Sequence, residues 1–319
     1  MRASKTAAFT SLDWGAFAPL RLKARLVAEG VYAGMHHSVR KGAGVEFAGV
    51  RAYVPGDDLR FFDRRSLLKH DRWMVREFET ETDRGLWLVV DATLSMSYRG
   101  TGPGAKYGFA ALLAASLARV ALSSGDPVGL VTIGGKGTET LPARAGRESF
   151  ERIVWTLEHT EVDGDLASDD RAFERALAPI AERARRGSMI ILFSDLIDLP
   201  PRAPRALSSL AVGGRAVFAV ETLDPAERAL PFREHARFAS LEGKTVVDAS
   251  PDEVRAAYQA RLRANGDAWE RELVGRGGGL ARASTDDPPA RIAREVVLGI
   301  ASPGGAVASD GGPRGARRS

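Results

Sequence analysis

The apolar positions of this chain fall into two alternating patterns from Arg84 onward. Continuous apolar runs, typical of strands buried on both faces, occur in LWLVVDAT, DPVGLVTIG, SMIILFSD and RAVFAVET. Between the first two runs, Phe109, Leu113 and Leu117 recur at helical spacing, and Gly125 is placed to end that helix. Strands that alternate with helices predict a doubly wound, mostly parallel α/β sheet, with ligand sites at the carboxyl ends of its strands.

The two ends of the chain differ from this pattern. Residues 1–83 contain one predicted helix, LRLKARLVAEGVYAG, and short strands near EFAGVRAYV and RWMVREFET, separated by Gly-containing loops. This is too little core to stand alone, so we predict a small N-terminal α+β segment packed on the sheet. The sheet domain is expected over residues 84–299. Residues 300–319 are rich in Gly, Pro and Arg, which predicts a disordered tail.

Composition excludes several classes of function. The chain has no cysteine, and no apolar run approaches the roughly 18 residues that a membrane span needs. Its first residues lack the apolar core of a signal peptide, so we expect a cytoplasmic protein without membrane contact. The net charge is +4 at pH 7, but charges of both signs are mixed along the chain without a basic stripe. We therefore expect no nucleic-acid partner.

Two of the apolar runs end on an aspartate, Asp91 and Asp195, and Thr93 and Ser95 follow the first of them. In a parallel sheet both strand ends meet at the same edge. Carboxylates and hydroxyls without His or Cys form an all-oxygen ligand set, which suits Mg²⁺ or Mn²⁺. The alternative is that these residues are ordinary turn and helix-capping residues.

The segment Asp91-Ala-Thr93-Leu-Ser95 resembles the metal-ion-dependent adhesion site (MIDAS) of von Willebrand factor A (vWA) domains. Those domains carry Asp-x-Ser-x-Ser after the first core strand, a Thr from a later loop and an Asp that ends a central strand. The resemblance implies that Asp91, Thr93 and Ser95 hold the ion and that Asp195 joins through water. The later-loop Thr has no clean match, and the candidates are Asp165, Ser168 and Asp170.

A block directly before the first core strand resembles the domain-of-unknown-function family 58, in which it precedes an A-type domain. Thr93 stands where Ser is usual, and Arg64 stands where this family usually has Trp. The Pro-Gly-Asp-Asp part of the block is typical of a tight turn, so we interpret it as structural rather than as an acidic contact surface. The block, which begins at Gly44, is matched at Glu46, Phe47, Arg51, Tyr53, Pro55, Gly56, Asp57, Asp58, Arg60 and Asp63.

The resemblance implies binding rather than catalysis. In such sites the protein leaves one metal position open, and a carboxylate from a protein partner completes the coordination. Members of the family are associated with MoxR-type AAA+ ATPases and are thought to act as adaptors in the assembly or activation of other proteins. We therefore expect a non-enzymatic, metal-dependent adaptor.

Three alternatives remain open. The first is a vWA-like scaffold that binds no metal. The second is a nucleotide-binding protein, because GTGPGAKY at 100–107 approaches the phosphate-loop pattern, although Ala105 and Tyr107 break it. We expect Lys106 to be an ordinary residue in the first turn of a helix. The third is a metal-dependent hydrolase, but the five histidines show no metal-ligand spacing and no G-x-S-x-G elbow is present.

Overall fold

A computed structural model describes residues 19–35, 47–52, 74–78, 84–134, 137–166, 169, 171–232, 236–239, 241 and 246–301. The chain divides into two compact units. The smaller unit covers residues 34–82, and the larger unit comprises residues 1–33 and 83–319.

The strands, numbered in chain order, form three sheets. Strands β1 and β2 pair antiparallel in the smaller unit, where two short strands were predicted. Strands β8 and β9 form a second antiparallel pair, and the other six strands form the main sheet. The bounds are Phe47–Ala52 (β1), Met74–Phe78 (β2), Leu86–Ala92 (β3), Val128–Gly134 (β4), Glu139–Arg144 (β5), Met189–Ser194 (β6), Ala216–Leu223 (β7), Ala236–Ala239 (β8), Val246–Ala249 (β9) and Gly279–Ser284 (β10).

The main sheet has the order β5-β4-β3-β6-β7-β10, and every neighbouring pair is parallel except β4 and β5. Counted along the chain, this is the doubly wound order 3-2-1-4-5-6. The antiparallel strand β5 contains Pro142 and lies at the sheet edge, where a residue without an N–H group is tolerated. The predicted class, a doubly wound and mostly parallel α/β sheet, is confirmed.

The helices cover both faces of the sheet. One face contacts α2 and α8, with α3 packed on α2, and the other contacts α4 and α7, with α5 between them. Helix α1 belongs to the larger unit, where the Tyr32 hydroxyl donates to the carbonyl of Val120 on α2. The helices are Leu20–Met35 (α1), Lys106–Ser123 (α2), Arg147–His159 (α3), Ala172–Arg183 (α4), Ala203–Ser209 (α5), Pro225–Ala229 (α6), Pro251–Val274 (α7) and Pro289–Ala301 (α8).

One large core lies between the sheet and the face covered by α4, α5 and α7. Trp87 of β3 and Trp269 of α7 are both 2% exposed and belong to this core. Trp87 pairs in register with Gly129 of β4, which leaves room for the indole ring. A Cβ atom on Gly129 would lie 2.6 Å from Trp87 Cε3, well inside van der Waals contact.

Gly129→Ala is therefore expected to lower the free energy of unfolding by about 1–3 kcal/mol, because a rigid ring in a packed core has little space to move. Urea unfolding of both proteins measures this. The matched control is Gly299→Ala in α8, where the nearest atom outside the helix, Phe218 Cε1, is 4.0 Å away. That change should be neutral or stabilising. Equal stability of Gly129→Ala and the wild type would show that the indole can move aside.

The order of the sheet places its topological switch point between β3 and β6, because successive crossovers from these two strands run in opposite directions. Register pairs Val90 with Phe193, so the next residues along the two strands, Asp91 and Ser194, are neighbours at the carboxyl edge. A crevice for ligands is expected at this edge of an open α/β sheet. The predicted metal ligands from both strands fall there.

Candidate metal site at the switch point

Asp91 ends the buried run of β3 and organises the turn that follows. Its Oδ1 atom accepts hydrogen bonds from the Thr93 backbone N–H at 2.9 Å and from the Thr93 hydroxyl at 2.8 Å. A single 3-10 turn over Leu94–Ser97 then brings Ser95 back, so that its hydroxyl lies 3.2 Å from Thr93 Oγ1. The three residues that the sequence singled out are thus grouped by local structure.

The end of β6 supplies the second side of the site. The Ser194 hydroxyl donates to Asp91 Oδ2 at 2.5 Å and accepts from the backbone N–H of Leu196 at 3.0 Å. Asp195 follows, and its Oδ1 accepts from the N–H of Ile197 at 3.0 Å. Sequence reasoning missed Ser194, which joins the two strand ends directly. Its only signal was its place beside Asp195 at the end of an apolar run.

The loop after Asp195 has an uncommon backbone. Leu196 and Asp198 both adopt positive φ, 59° and 57°, although neither is glycine. A buried leucine in this region is strained, and such strain persists only where surrounding contacts hold it. Asn265 of α7 provides one such contact, since its amide donates to the Leu196 carbonyl at 2.8 Å. The loop conformation fixes the position of the Asp195 carboxylate.

The oxygen atoms of the cluster have the spacing of neighbouring ligands around a small divalent ion. An octahedral Mg²⁺ with bonds of about 2.0–2.1 Å has adjacent ligand oxygens about 2.9 Å apart. The observed separations are 2.8 Å from Thr93 Oγ1 to Asp91 Oδ1 and 3.2 Å from Thr93 Oγ1 to Ser95 Oγ. No three His, Asp or Glu side chains converge as metal ligands within the described residues. A metal ion at this cluster would therefore need the Thr93 and Ser95 hydroxyls as ligands, and an all-oxygen set of this kind suits Mg²⁺ or Mn²⁺.

The site is buried, and burial disfavours the negative charge of Asp91. Asp91 and Asp195 are 1% and 0% exposed, whereas Ser95 keeps 9% of its surface. Burial, and then the negative charge of Asp195, raise the pKa of Asp91 to about 7, against the hydrogen bonds from Ser194 and Thr93. A carboxyl group whose pKa is raised to near neutral pH is one whose charged form a bound cation would stabilise.

Lys106 is a functional candidate that sequence reasoning undervalued. It begins α2, as predicted, but it is not an ordinary first-turn residue, because it is only 1% exposed. Its ammonium group donates to Asp195 Oδ2 and to Glu227 Oε1, each at 2.7 Å. Burial would lower the pKa of Lys106, but the attraction of these two carboxylates outweighs it and raises the pKa, so the ammonium group is charged at neutral pH.

The GTGPGAK segment is already occupied by a carboxylate of the chain itself. Asp224 accepts backbone N–H groups from Gly100, Thr101 and Gly102, each at 3.0 Å. These are the groups that a phosphate loop would offer to a nucleotide. The backbone N–H groups of residues 100–102 are thus bound to Asp224, and Lys106 is paired with carboxylates. We call residues 100–102 the clamped loop.

The loop that should contribute a further ligand crosses the Asp91 turn. The Asp163 N–H donates to the Ala92 carbonyl at 3.0 Å, and the Leu94 N–H donates to the Gly164 carbonyl at 2.9 Å. Asp165, half-buried, follows directly on this crossing. Ser168 and Asp170, the other two candidates, lie outside the described residues.

Residues 49–268 match the family described as "Protein of unknown function DUF58". The chain belongs to the DUF58 family. The membership predicted from the upstream block is confirmed, and the match runs from that block through the strand-end cluster into α7.

Relatives of this DUF58 chain include the uncharacterized protein Rv1480 of Mycobacterium tuberculosis. The two are 31% identical over 221 residues, which is 66% of this chain and 65% of the relative. The chain thus spans somewhat less than two thirds of the length of the curated relatives that it matches.

Two solved structures are also similar to this chain, at lower sequence identity. An aerotolerance-related membrane protein from Bacteroides fragilis is 17% identical, with 68% of this chain and 98% of that chain covered and a TM-score of 0.41. The SpRpn10 VWA domain is 13% identical, with 70% and 99% covered and a TM-score of 0.35. The fold class rests on the strand order of the sheet itself.

The DUF58 block falls largely outside the part of the chain that the structure describes. Phe47 and Arg51 lie on β1, and only the backbone of that strand is described. Their roles, and the turn predicted at Pro-Gly-Asp-Asp, stay predictions. The block residues outside the described ranges are Gly44, Glu46, Tyr53, Pro55, Gly56, Asp57, Asp58, Arg60 and Asp63.

Among the helices in the described ranges, none combines the length and the apolar character that crossing a bilayer requires.

Proposed function

We propose that this DUF58 chain is a non-enzymatic adaptor that binds a protein partner through a divalent metal ion, Mg²⁺ or Mn²⁺. Asp91, Thr93 and Ser95 hold the ion, and Asp195 joins through water. The convergence of the Asp91, Thr93 and Ser95 oxygens at the switch point of the sheet carries this proposal. Their separations of 2.8 Å and 3.2 Å are hydrogen-bond distances that are also compatible with neighbouring ligands of a small octahedral ion.

The contacts of Asp195 support its indirect role. One of its oxygens accepts from Ile197 N–H and the other from the Lys106 ammonium, so each has a single lone-pair direction left. A water molecule can use such a direction without disturbing either contact. Asp165 is the proposed further ligand, because its loop crosses the Asp91 turn. Ser168 and Asp170 remain alternatives for that role.

The ion supplies a positive charge that an acidic side chain of a partner can reach from the Ser95 side. That contact is strong and strictly metal-dependent when it forms in a partly dry interface. By resemblance to its family, we propose that the partner is a MoxR-type AAA+ ATPase in the cytoplasm and that the complex serves the assembly or activation of other proteins.

A metal-free scaffold is the second candidate, and one observation favours it. Asp195 already has a resident cation in Lys106, and Asp91 can become neutral by binding a proton because its pKa is raised to about 7. The cluster can thus be electrically balanced without an ion. Such a scaffold would bind partners equally well in chelator.

Manganese titration followed by electron spin resonance separates these candidates. We expect wild type to bind one Mn²⁺ per chain, and Ser95→Ala to weaken binding at least tenfold because one ligand oxygen is lost. Ser97→Ala is the matched control, since Ser97 donates to the Leu94 carbonyl within the same turn. The purified MoxR-type ATPase of the source organism should then be retained in Mg²⁺ and released in chelator. Retention in both conditions would favour the scaffold.

A further inference from the structure

The Lys106 ammonium is enclosed between two carboxylates that belong to different elements. Asp195 follows β6, and Glu227 lies in the first turn of α6. Only 1% of the lysine side chain and none of the Asp195 side chain is exposed, while Glu227 keeps 18%. Charges this far from water are weakly screened, so each affects its neighbours strongly.

Glu227 is held in place independently of Lys106. Its second oxygen accepts the backbone N–H of Asp224 at 3.0 Å, as the partner in the capping box that begins α6. The same carboxylate thus binds a helix cap with one oxygen and the lysine with the other. Lys106, in turn, is fixed at the first position of α2, so the pair has a defined place beside Asp195.

We propose that Lys106 and Glu227 set the net charge of the metal site and thereby its preference for divalent ions. Lys106 and Glu227 cancel, so Asp91 and Asp195 remain as the fully buried negative charges of the cluster, and one divalent cation neutralises these two. Asp165, the half-buried further ligand, adds its charge outside this buried pair. This inference rests on the proposed metal function. Asp198, a further carboxylate near Lys106, lies at the exposed edge of the cluster, where burial and the charge of Asp195 still raise its pKa.

The charge balance can be changed with two substitutions. Glu227→Gln removes one negative charge, so the site becomes less anionic and Mn²⁺ affinity should fall about tenfold or more. Adding Lys106→Met to that variant removes one positive charge and restores the original balance. Affinity of the double variant should therefore return to within about threefold of wild type, since the two charges removed are opposite in sign and only 2.7 Å apart, so their effects on the ion largely cancel.

Terbium provides a readout that a merely structural role would not move. Interaction energy scales with ion charge, so Glu227→Gln should lower the logarithm of Tb³⁺ affinity about one and a half times as much as that of Mn²⁺. Mn²⁺ binding is measured by spin resonance and Tb³⁺ binding by luminescence, with thermal melts to confirm folding. Glu272→Gln, which removes a carboxylate paired with Arg276 on the surface of α7, is the control and should change neither affinity.

The outcomes distinguish this inference from the function on which it rests. If wild type binds neither ion, the proposed metal function fails and the charge argument fails with it. If wild type binds Mn²⁺ but the double variant is folded and weaker than Glu227→Gln, the metal function stands and the charge role of the Lys106–Glu227 pair is overturned. Recovery in the double variant, together with the larger effect on Tb³⁺, supports it.

Discussion

Asp91→Asn is expected to abolish binding of Mn²⁺ and, at the same time, to raise the melting temperature of the metal-free protein at pH 8. Asn keeps the oxygen that accepts from Thr93 and removes a charge that is 99% shielded from solvent, given the 1% exposure of Asp91. A buried carboxylate without a cation is costly, whereas the amide is neutral. If Asp91 is a metal ligand, one substitution should both abolish metal binding and stabilise the metal-free protein. If Asp91 only shapes a turn, no metal binding would be lost.

The pH dependence follows from the raised pKa of Asp91. In the unfolded chain its value is near 3.8, and in the folded chain burial and the charge of Asp195 raise it to about 7. The folded state therefore binds the proton more tightly, so the contribution of Asp91 to stability decreases as pH rises from about 4 to 7. That decrease is on the order of 4 kcal/mol as an upper bound. The advantage of Asp91→Asn should thus be largest at pH 8 and small near pH 4.

Calorimetric melts at pH 5, 6, 7 and 8, with chelator and with Mn²⁺, measure both effects. Added Mn²⁺ should raise the melting temperature of wild type and leave the variant unchanged, because a ligand stabilises only the state that binds it. Asp126→Asn is the control, since Asp126 is a partly buried carboxyl at the opposite end of the sheet, before β4. A variant that still binds one Mn²⁺, or that melts below wild type at pH 8, would contradict the assignment.

The part of the site that could be predicted from sequence is the part that is local or that repeats a pattern. Asp91, Thr93 and Ser95 are contiguous, and one turn brings them together. Asp195 was predicted because a second apolar run ends on it, and parallel strands end at one edge. Lys106 and Glu227 are 121 residues apart and meet only because β7 lies beside β6. The alternation of strands and helices in the sequence predicted a parallel sheet, but it did not predict that β7 lies beside β6.

The same limit applies to the fold. The four apolar strands between residues 84 and 223 and the helix that follows the first of them carry strong periodic signals, and their existence was predicted. The long helix α7 was not, because few of its 24 residues face the core: Pro251, Gly266, Trp269 and Leu273 are its buried positions. A helix that is mostly solvated has little apolar periodicity. Tertiary contacts hold it instead, such as the close approach at Gly266, where a Cβ atom would lie 3.2 Å from Glu221 Oε1.

Asp224→Ala is expected to destabilise the protein by roughly 3–5 kcal/mol, because one side chain holds a whole loop through charge-assisted hydrogen bonds. Asp224 is fully buried and accepts from Gly100, Thr101 and Gly102, and from Ala226 of α6 at 2.8 Å. Burial alone would raise the pKa of Asp224, but these donors outweigh it and lower the pKa. The stabilisation is therefore present at neutral pH and is lost in acid, as pH falls through that lowered value.

Because the clamped loop leads directly into Lys106, its release should affect the metal site as well as stability. The melting temperature of Asp224→Ala is expected to fall by roughly 10 °C, and hydrogen exchange at the amides of residues 100–102 should become much faster. Asp224→Asn keeps one acceptor oxygen, so its melting temperature should lie between those of Asp224→Ala and wild type. Asp252→Ala, which breaks only a surface ion pair with Arg255 on α7, should be close to wild type. If exchange at these amides stayed slow in Asp224→Ala, other contacts would have to hold the loop, and Lys106 would keep its place beside Asp195 without the clamp.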